Sequence, residues 1–285
     1  MKNKIILGTA NFAKNYGIQK KNLNRLEIKK IINFSIKNKI NYFDTAINYK
    51  NVSELLGGIL HKNIKVVTKI DIKKNIKNPY EFIISEINKS LKKLKIKKFY
   101  AVLLHNSDCL KIKNKKKILE ALNYLKTVKK IRKFGMSIYT TKELDKYYKF
   151  FGPEIIQIPV NIFDQRLLES KWIHNLKKDN VEIHARSIFL QGVLFKSNLP
   201  FKTNSNINKQ WYYWKSWLMK NKVSPFDACM QFINNQKKID RFVFGVDNLQ
   251  QIKQILNFKL KKKINFSTLS TDNEKILHPQ NWRKI

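Results

Sequence analysis

Eight short runs rich in Ile, Val and Phe recur along the chain, and stretches with helical spacing separate them. The runs are Lys4–Ala10, Ile40–Ala46, Lys65–Ile70, Phe99–Asn106, Ile131–Ile138, Ile155–Asn161, Val181–Ile188 and Arg241–Val246. Near-continuous apolar runs of this length suit strands buried on both faces, as in parallel sheets. Between them, apolar residues repeat at steps of three and four: Ile28, Ile31, Ile32 and Ile36, then Phe82, Ile83, Ile87, Leu91 and Leu94. Later segments carry Ile118, Leu119, Leu122 and Leu125, and Leu167, Leu168, Trp172 and Leu176. Eight strands, each followed by a helix candidate, predict an α/β fold of the closed (β/α)8 TIM-barrel type, a single domain over 1–285. An open doubly wound sheet marks its nucleotide site with a glycine-rich first turn, and no G-x-G-x-x-G occurs.

Composition narrows the class. Two cysteines, Cys109 and Cys229, are too few for a disulfide scaffold and lack metal-ligand spacing, which suggests a reduced, cytoplasmic protein. No apolar run approaches the ~18 residues of a transmembrane helix, and Ile5-Ile6-Leu7 is too short for a secretory core, so the N-terminus reads as the first strand. The net charge of +38 would suit a polyanion partner, but only six of the 58 basic residues are Arg, the type favoured for bidentate phosphate and base contacts. Lysines spread along the whole chain read as a solvated surface, with no specific nucleic-acid partner and no membrane.

In a barrel of this kind chemistry gathers where the strands end. The second run ends in Asp44, with Tyr49 just beyond; the third ends at Lys69 and the fourth at His105. A buried strand-end ammonium needs a carboxylate, and Asp44 is the candidate partner. A tyrosine titrates near ~10, and an adjacent ammonium favours its phenolate, making it a better proton donor. A neutral His105 beside it would orient a carbonyl oxygen.

With these residues the chain resembles the aldo-keto reductase family, in its bacterial branch. The motifs are Phe43-Asp44-Thr45-Ala46-x-x-Tyr49, Ser53-Glu54-x-x-Gly57, Thr68-Lys69, Leu103-Leu104-His105, Gly135-x-Ser137, Gln157-x-Pro159-x-Asn161, Arg186-Ser187-x-x-x-x-Gly192 and Phe244-Gly245-Val246-x-Asn248, in family order. The resemblance implies an oxidoreductase that uses NADP or NAD to reduce an aldehyde, ketone or keto-sugar. Tyr49 would be the proton donor and Lys69, Asp44 and His105 the other catalytic residues. It places Ser137 and Gln157 by the nicotinamide, and puts Arg186, followed by Ser187, where many relatives carry an aromatic that stacks on that ring. Gly245, Val246, Asn248 and Gln251 would meet the adenosine phosphates at a helix N-terminus. Asp247 would repel a 2′-phosphate, while Lys253 would attract one, so the resemblance does not decide between the cofactors.

Other features read more plainly. Trp211, Trp214 and Leu218 share a helical face expected to pack on the barrel, with a part in lining the substrate mouth as the other reading, and Cys109 reads as an idle thiol. His184 is structural. Segment 196–209 is polar and aperiodic, the expected long loop and candidate lid. Two alternatives remain: a catalytically silent nicotinamide- or sugar-binding barrel, and a basic polyanion-binding protein. The partner expected is a small carbonyl compound, with the chain a monomer or weak oligomer.

Overall fold

All eight apolar runs form strands, and the strands close into one parallel barrel: β1 (Ile5–Gly8), β2 (Tyr42–Asp44), β3 (Lys65–Ile70), β4 (Phe99–Leu104), β5 (Ile131–Ser137), β6 (Ile155–Pro159), β7 (Glu182–Arg186) and β8 (Arg241–Gly245). The computed structural model describes residues 1–13, 23–49, 51–60, 63–199, 205–260, 264–279 and 282. Each strand pairs with its sequence neighbours, and the ring closes where Ile5, Ile6, Leu7 and Gly8 lie opposite Phe242, Val243, Phe244 and Gly245. Helices α1 (Arg25–Lys37), α2 (Val52–Leu56), α3 (Pro79–Leu94), α4 (Lys116–Thr127) and α5 (Lys142–Phe151) follow the first five strands in turn. Then come α6 (Arg166–Glu169), α7 (Trp172–Lys178), α8 (Ser205–Asn221), α9 (Pro225–Asn234), α10 (Leu249–Leu256) and α11 (Glu274–Leu277).

The apolar spacing does its expected work. Ile28, Ile31 and Ile32 of α1, Ile83, Ile87 and Leu94 of α3, and Ile118, Leu122 and Leu125 of α4 are all buried in one core with the outward faces of the strands. Alternate strand residues turn inward, where Val67, Ala101, Leu103 and Ile155 fill the barrel as a small separate cluster. Local signals set the helix starts: Asn24 and Glu27 form a reciprocal capping box on α1, and Ser224 caps α9 just before Pro225.

Three expectations are adjusted. Most strands are shorter than the apolar runs, because single backbone bonds extend the ladder past them. Thr45 N donates to Val67 O at 2.9 Å, and His105 N donates to Ile70 O at 2.8 Å. These bonds hold the first loop residues rigidly at the C-terminal rim. The 167–176 segment is two short helices, since Ser170 is extended and its hydroxyl accepts from Trp172 N at 3.2 Å. Of the expected lid, residues 205–209 open α8, and 200–204 lie outside the described residues.

The aromatic stretch packs as its spacing implied. Trp211, Trp214, Trp217 and Leu218 are buried, and the Trp214 and Trp217 rings stack at 5.8 Å. Cys109 is buried, which pushes its thiol up to about 11.

At Gly135, β5 and β6 approach closely: a Cβ there would lie 1.9 Å from the Ile155 carbonyl oxygen. Gly135→Ala is therefore expected to force the strands apart at a cost of about 3 kcal/mol. A lower urea midpoint with an unchanged slope is the readout; an unchanged midpoint would refute this contact.

Candidate active site

The site starts from the alternation of β2 and β3. Asp44 and Lys69 both turn inward near the C-terminal rim, are almost fully buried and form an ion pair. Two other groups complete it. The second oxygen of Asp44 accepts from Gln157 Nε2 at 2.7 Å, across the barrel from β6, and Lys69 Nζ also lies 3.3 Å from Thr45 O. Burial pushes the Lys69 ammonium below its ordinary range, although Asp44 opposes this. Lys69 is thus a desolvated ammonium held by one carboxylate, the arrangement the strand-end residues predicted.

His105 follows directly on β4. Burial, and then the positive charge of Lys69, push its imidazole down to about 4, so the ring is neutral at neutral pH. A neutral ring can donate a hydrogen bond without carrying charge. Tyr49 ends a tight turn in which its N–H donates to Ala46 O at 3.0 Å, just before Asn51 takes a left-handed conformation and α2 begins. That turn brings the Tyr49 ring edge-on to His105, with centroids 6.3 Å apart at 78°.

The residues expected around a cofactor divide into two places. Ser137 and Gln157 lie side by side on β5 and β6, buried at the rim. Gln157 Oε1 is buried and has no hydrogen-bond partner among the described residues. Arg186 closes β7; its guanidinium lies 4.4 Å from the centre of the Tyr139 ring and donates to Ile138 O and to Ser187 Oγ, at 3.0 and 3.2 Å. Ser187 has φ = 59°, and the motif ends at Gly192 because φ there is 82°, where a glycine carries no Cβ penalty. Gly245, Val246, Asn248 and Gln251 form the turn into α10. There Asn248 Oδ1 accepts from Gln251 N at 2.9 Å, and Gln251 Oε1 accepts from Asp247 N at 2.7 Å. Both side chains therefore cap the helix. Asn11 donates to Asp247 at 2.6 Å and ties this turn to the loop after β1.

A cavity of about 620 Å³ opens beside His105, bounded by Asp71, Asn106, Tyr139 and the first turns of α5. Sequence reasoning missed Asp71, Asn106 and Tyr139, although all three lie one or two residues past a strand end, the signal that had found His105. It missed the Gln157–Asp44 bond because nothing local joins residues 113 apart. His184, read as structural, is fully buried in the lower barrel with Nε2 3.0 Å from Glu182 Oε1.

The aldo/keto reductase family profile matches residues 4–269. No curated protein sequence matches the chain. Among solved structures, the holo form of aldo-keto reductase AKR11C1 from Bacillus halodurans is similar at 18% identity and a TM-score of 0.72, over 98% of this chain and 91% of that one. A candidate aldo-keto reductase from Pseudomonas aeruginosa is similar at 17% identity and a TM-score of 0.66, over 88% of this chain and 87% of that one. At such identity these structures speak for the barrel alone. The profile match, which runs from β1 beyond β8, carries the assignment: the chain belongs to the aldo/keto reductase family.

Proposed function

We propose that this protein reduces the carbonyl group of a small molecule to an alcohol, with NADP or NAD as its cofactor and Tyr49 as proton donor. The observation that carries the proposal is the buried Lys69–Asp44 ion pair at the barrel rim, with a neutral His105 and the Tyr49 ring beside it. The bound cofactor supplies the hydride. His105 holds the carbonyl oxygen by a hydrogen bond, and Tyr49 passes its phenolic proton to that oxygen as charge develops on it. Lys69 favours the phenolate left behind, and Asp44, braced by Gln157, keeps Lys69 in place.

The residues present suit a nicotinamide. Gln157 Oε1 is an orphaned buried acceptor that would take the carboxamide N–H, with Ser137 next to it. Arg186 and Ser187 would border the ring, and the α10 N-terminus, reached through Gly245, Val246, Asn248 and Gln251, favours phosphate through its dipole.

Titration of NADPH and NADH against the tryptophan fluorescence tests the reading, followed by addition of an aldehyde and loss of nicotinamide absorbance. Binding with turnover supports it. Binding without turnover favours the silent barrel, and failure to bind either cofactor overturns it. Because the His105 pKa lies near 4, the imidazole is neutral throughout the range above pH 5. A kcat/KM profile should therefore show no histidine step between about pH 5 and 8; a step near the ordinary histidine value would contradict this role for His105.

A further inference from the structure

Helix α5 contributes Lys142, Glu143, Lys146 and Tyr147 to the lining of the cavity beside His105. Lys142 and Lys146 stand one helical turn apart and both line the cavity. Among the described residues neither forms an ion pair. The carboxylates that share the cavity are already committed: Glu143 accepts from the backbone N–H groups of Tyr139 and Thr140 at 2.7 and 2.9 Å, Asp71 accepts from Asn106 at 2.9 Å, and Asp108 pairs with Lys111 at 2.5 Å. A further group lies between the lysines and the interior. Tyr147 is 5% exposed, and its hydroxyl is buried with no hydrogen-bond partner, although it lines the same cavity. A buried phenol left unpaired costs about 1–3 kcal/mol unless something supplies the missing partner. The groups left over on this helix are two ammonium donors and one hydroxyl donor. They suit a ligand that offers oxygen acceptors and negative charge.

We infer that the cavity takes a carbonyl substrate bearing an anionic group, a phosphate or a carboxylate, which seats on Lys142, Lys146 and the Tyr147 hydroxyl while the carbonyl faces His105. This rests on the reductase reading for the placement of the carbonyl, but the anion seat stands on its own geometry. A volume of about 620 Å³ holds a small phosphorylated or carboxylated aldehyde, with room for a longer chain. Three carboxylates around the mouth would repel a dianion in a bare pocket. Lys111 offsets the charge of Asp108, while Glu143 and Asp71 keep their charge but have oxygens taken up by neutral donors; it is the uncommitted donors of Lys142, Lys146 and Tyr147, not a net positive field, that select an anionic group.

Two measurements separate this inference from the reductase reading. The first compares kcat/KM for glyceraldehyde 3-phosphate with glyceraldehyde, and for succinic semialdehyde with butyraldehyde. The anionic member of at least one pair should be preferred by about tenfold or more, the effect of one or two charge-assisted hydrogen bonds, and the better pair identifies phosphate or carboxylate. Lys142→Ala/Lys146→Ala should erase that preference, Tyr147→Phe should reduce it, and Lys29→Ala/Lys30→Ala on the exposed side of α1 should preserve it. The second measures binding of glycerol 3-phosphate and succinate by calorimetry, which needs no turnover. Binding lost in Lys142→Ala/Lys146→Ala and kept in Lys29→Ala/Lys30→Ala supports the seat even if no carbonyl is reduced. Equal rates for charged and neutral substrates, or anion binding that falls equally in both double variants, overturns it while leaving the reductase reading intact.

Discussion

Tyr49→Phe is expected to lower kcat for carbonyl reduction about a thousandfold, in the range that loss of a general acid produces. Cofactor affinity should stay near the wild-type value. The substitution removes one oxygen and keeps the ring that meets His105 edge-on, so the packing of the turn after β2 is preserved. Nothing else among the four rim residues can take over the proton. His105 is neutral and buried, Asp44 is occupied by Lys69 and Gln157, and the Lys69 ammonium is bound to Asp44. Stopped-flow mixing of the enzyme–cofactor complex with an aldehyde gives the chemical step directly. A rate within a few-fold of wild type would remove Tyr49 from the mechanism.

The second large effect lies at the opposite end of the barrel and concerns stability. Glu182, at the start of β7, accepts from Tyr100 Oη at 2.6 Å, Lys133 Nζ at 3.1 Å and Arg241 Nε at 3.0 Å, and lies 3.0 Å from His184 Nε2. Burial alone would push this carboxyl up, but the hydrogen bonds from His184 and Tyr100 and the charge of Lys133 outweigh it and hold the group well below the usual carboxylate range. Among the described residues, Glu182 is the carboxylate that pairs with both Lys133 and Arg241. Glu182→Ala is expected to cost about 3–5 kcal/mol, because it leaves two partly buried cations and a phenol without their partner. Glu182→Gln keeps the acceptor and should cost less. The folded carboxyl titrates below its unfolded value, so its contribution is complete above the unfolded pKa of about 4.3 and is lost as pH falls toward the folded one. Urea melts of wild type and Glu182→Gln should therefore differ by a constant amount above about pH 5 and converge in acid. Equal stability at neutral pH would show that the cluster contributes nothing.

The contrast between the two ends shows what a sequence of this kind makes legible. The strands could be read because each is a continuous apolar run that must be buried on both faces, and Lys65–Ile70 matches its strand residue for residue. Asp44, Lys69 and His105 could be read because strand ends in a closed barrel converge on one rim. The Glu182 cluster could not be read. Its members come from β4, β5, β7 and β8, and their side chains look like ordinary polar residues at strand starts until the ring closes. The same holds for Gln157, whose contact with Asp44 exists only across the barrel. The helix break at Ser170 was hidden because apolar spacing continues through it. At the β8–α10 turn the sequence marks a helix N-terminus correctly. Only in the folded turn do the side chains of Asn248 and Gln251 prove to serve the helix itself, leaving the backbone and the dipole to face any phosphate.

The central claim is that Tyr49 and Lys69 act as one acid. A double-mutant cycle on kcat/KM with Tyr49→Phe, Lys69→Met and the combined variant measures this coupling directly. Met matches the length of the lysine stem but leaves the buried Asp44 with Gln157 as its remaining donor, so each variant is first checked for an unchanged fold and cofactor affinity before its rate is compared. The combined variant should be no slower than Tyr49→Phe alone, since an ammonium has nothing left to assist once the phenol is gone. Losses that simply multiply would contradict the coupling.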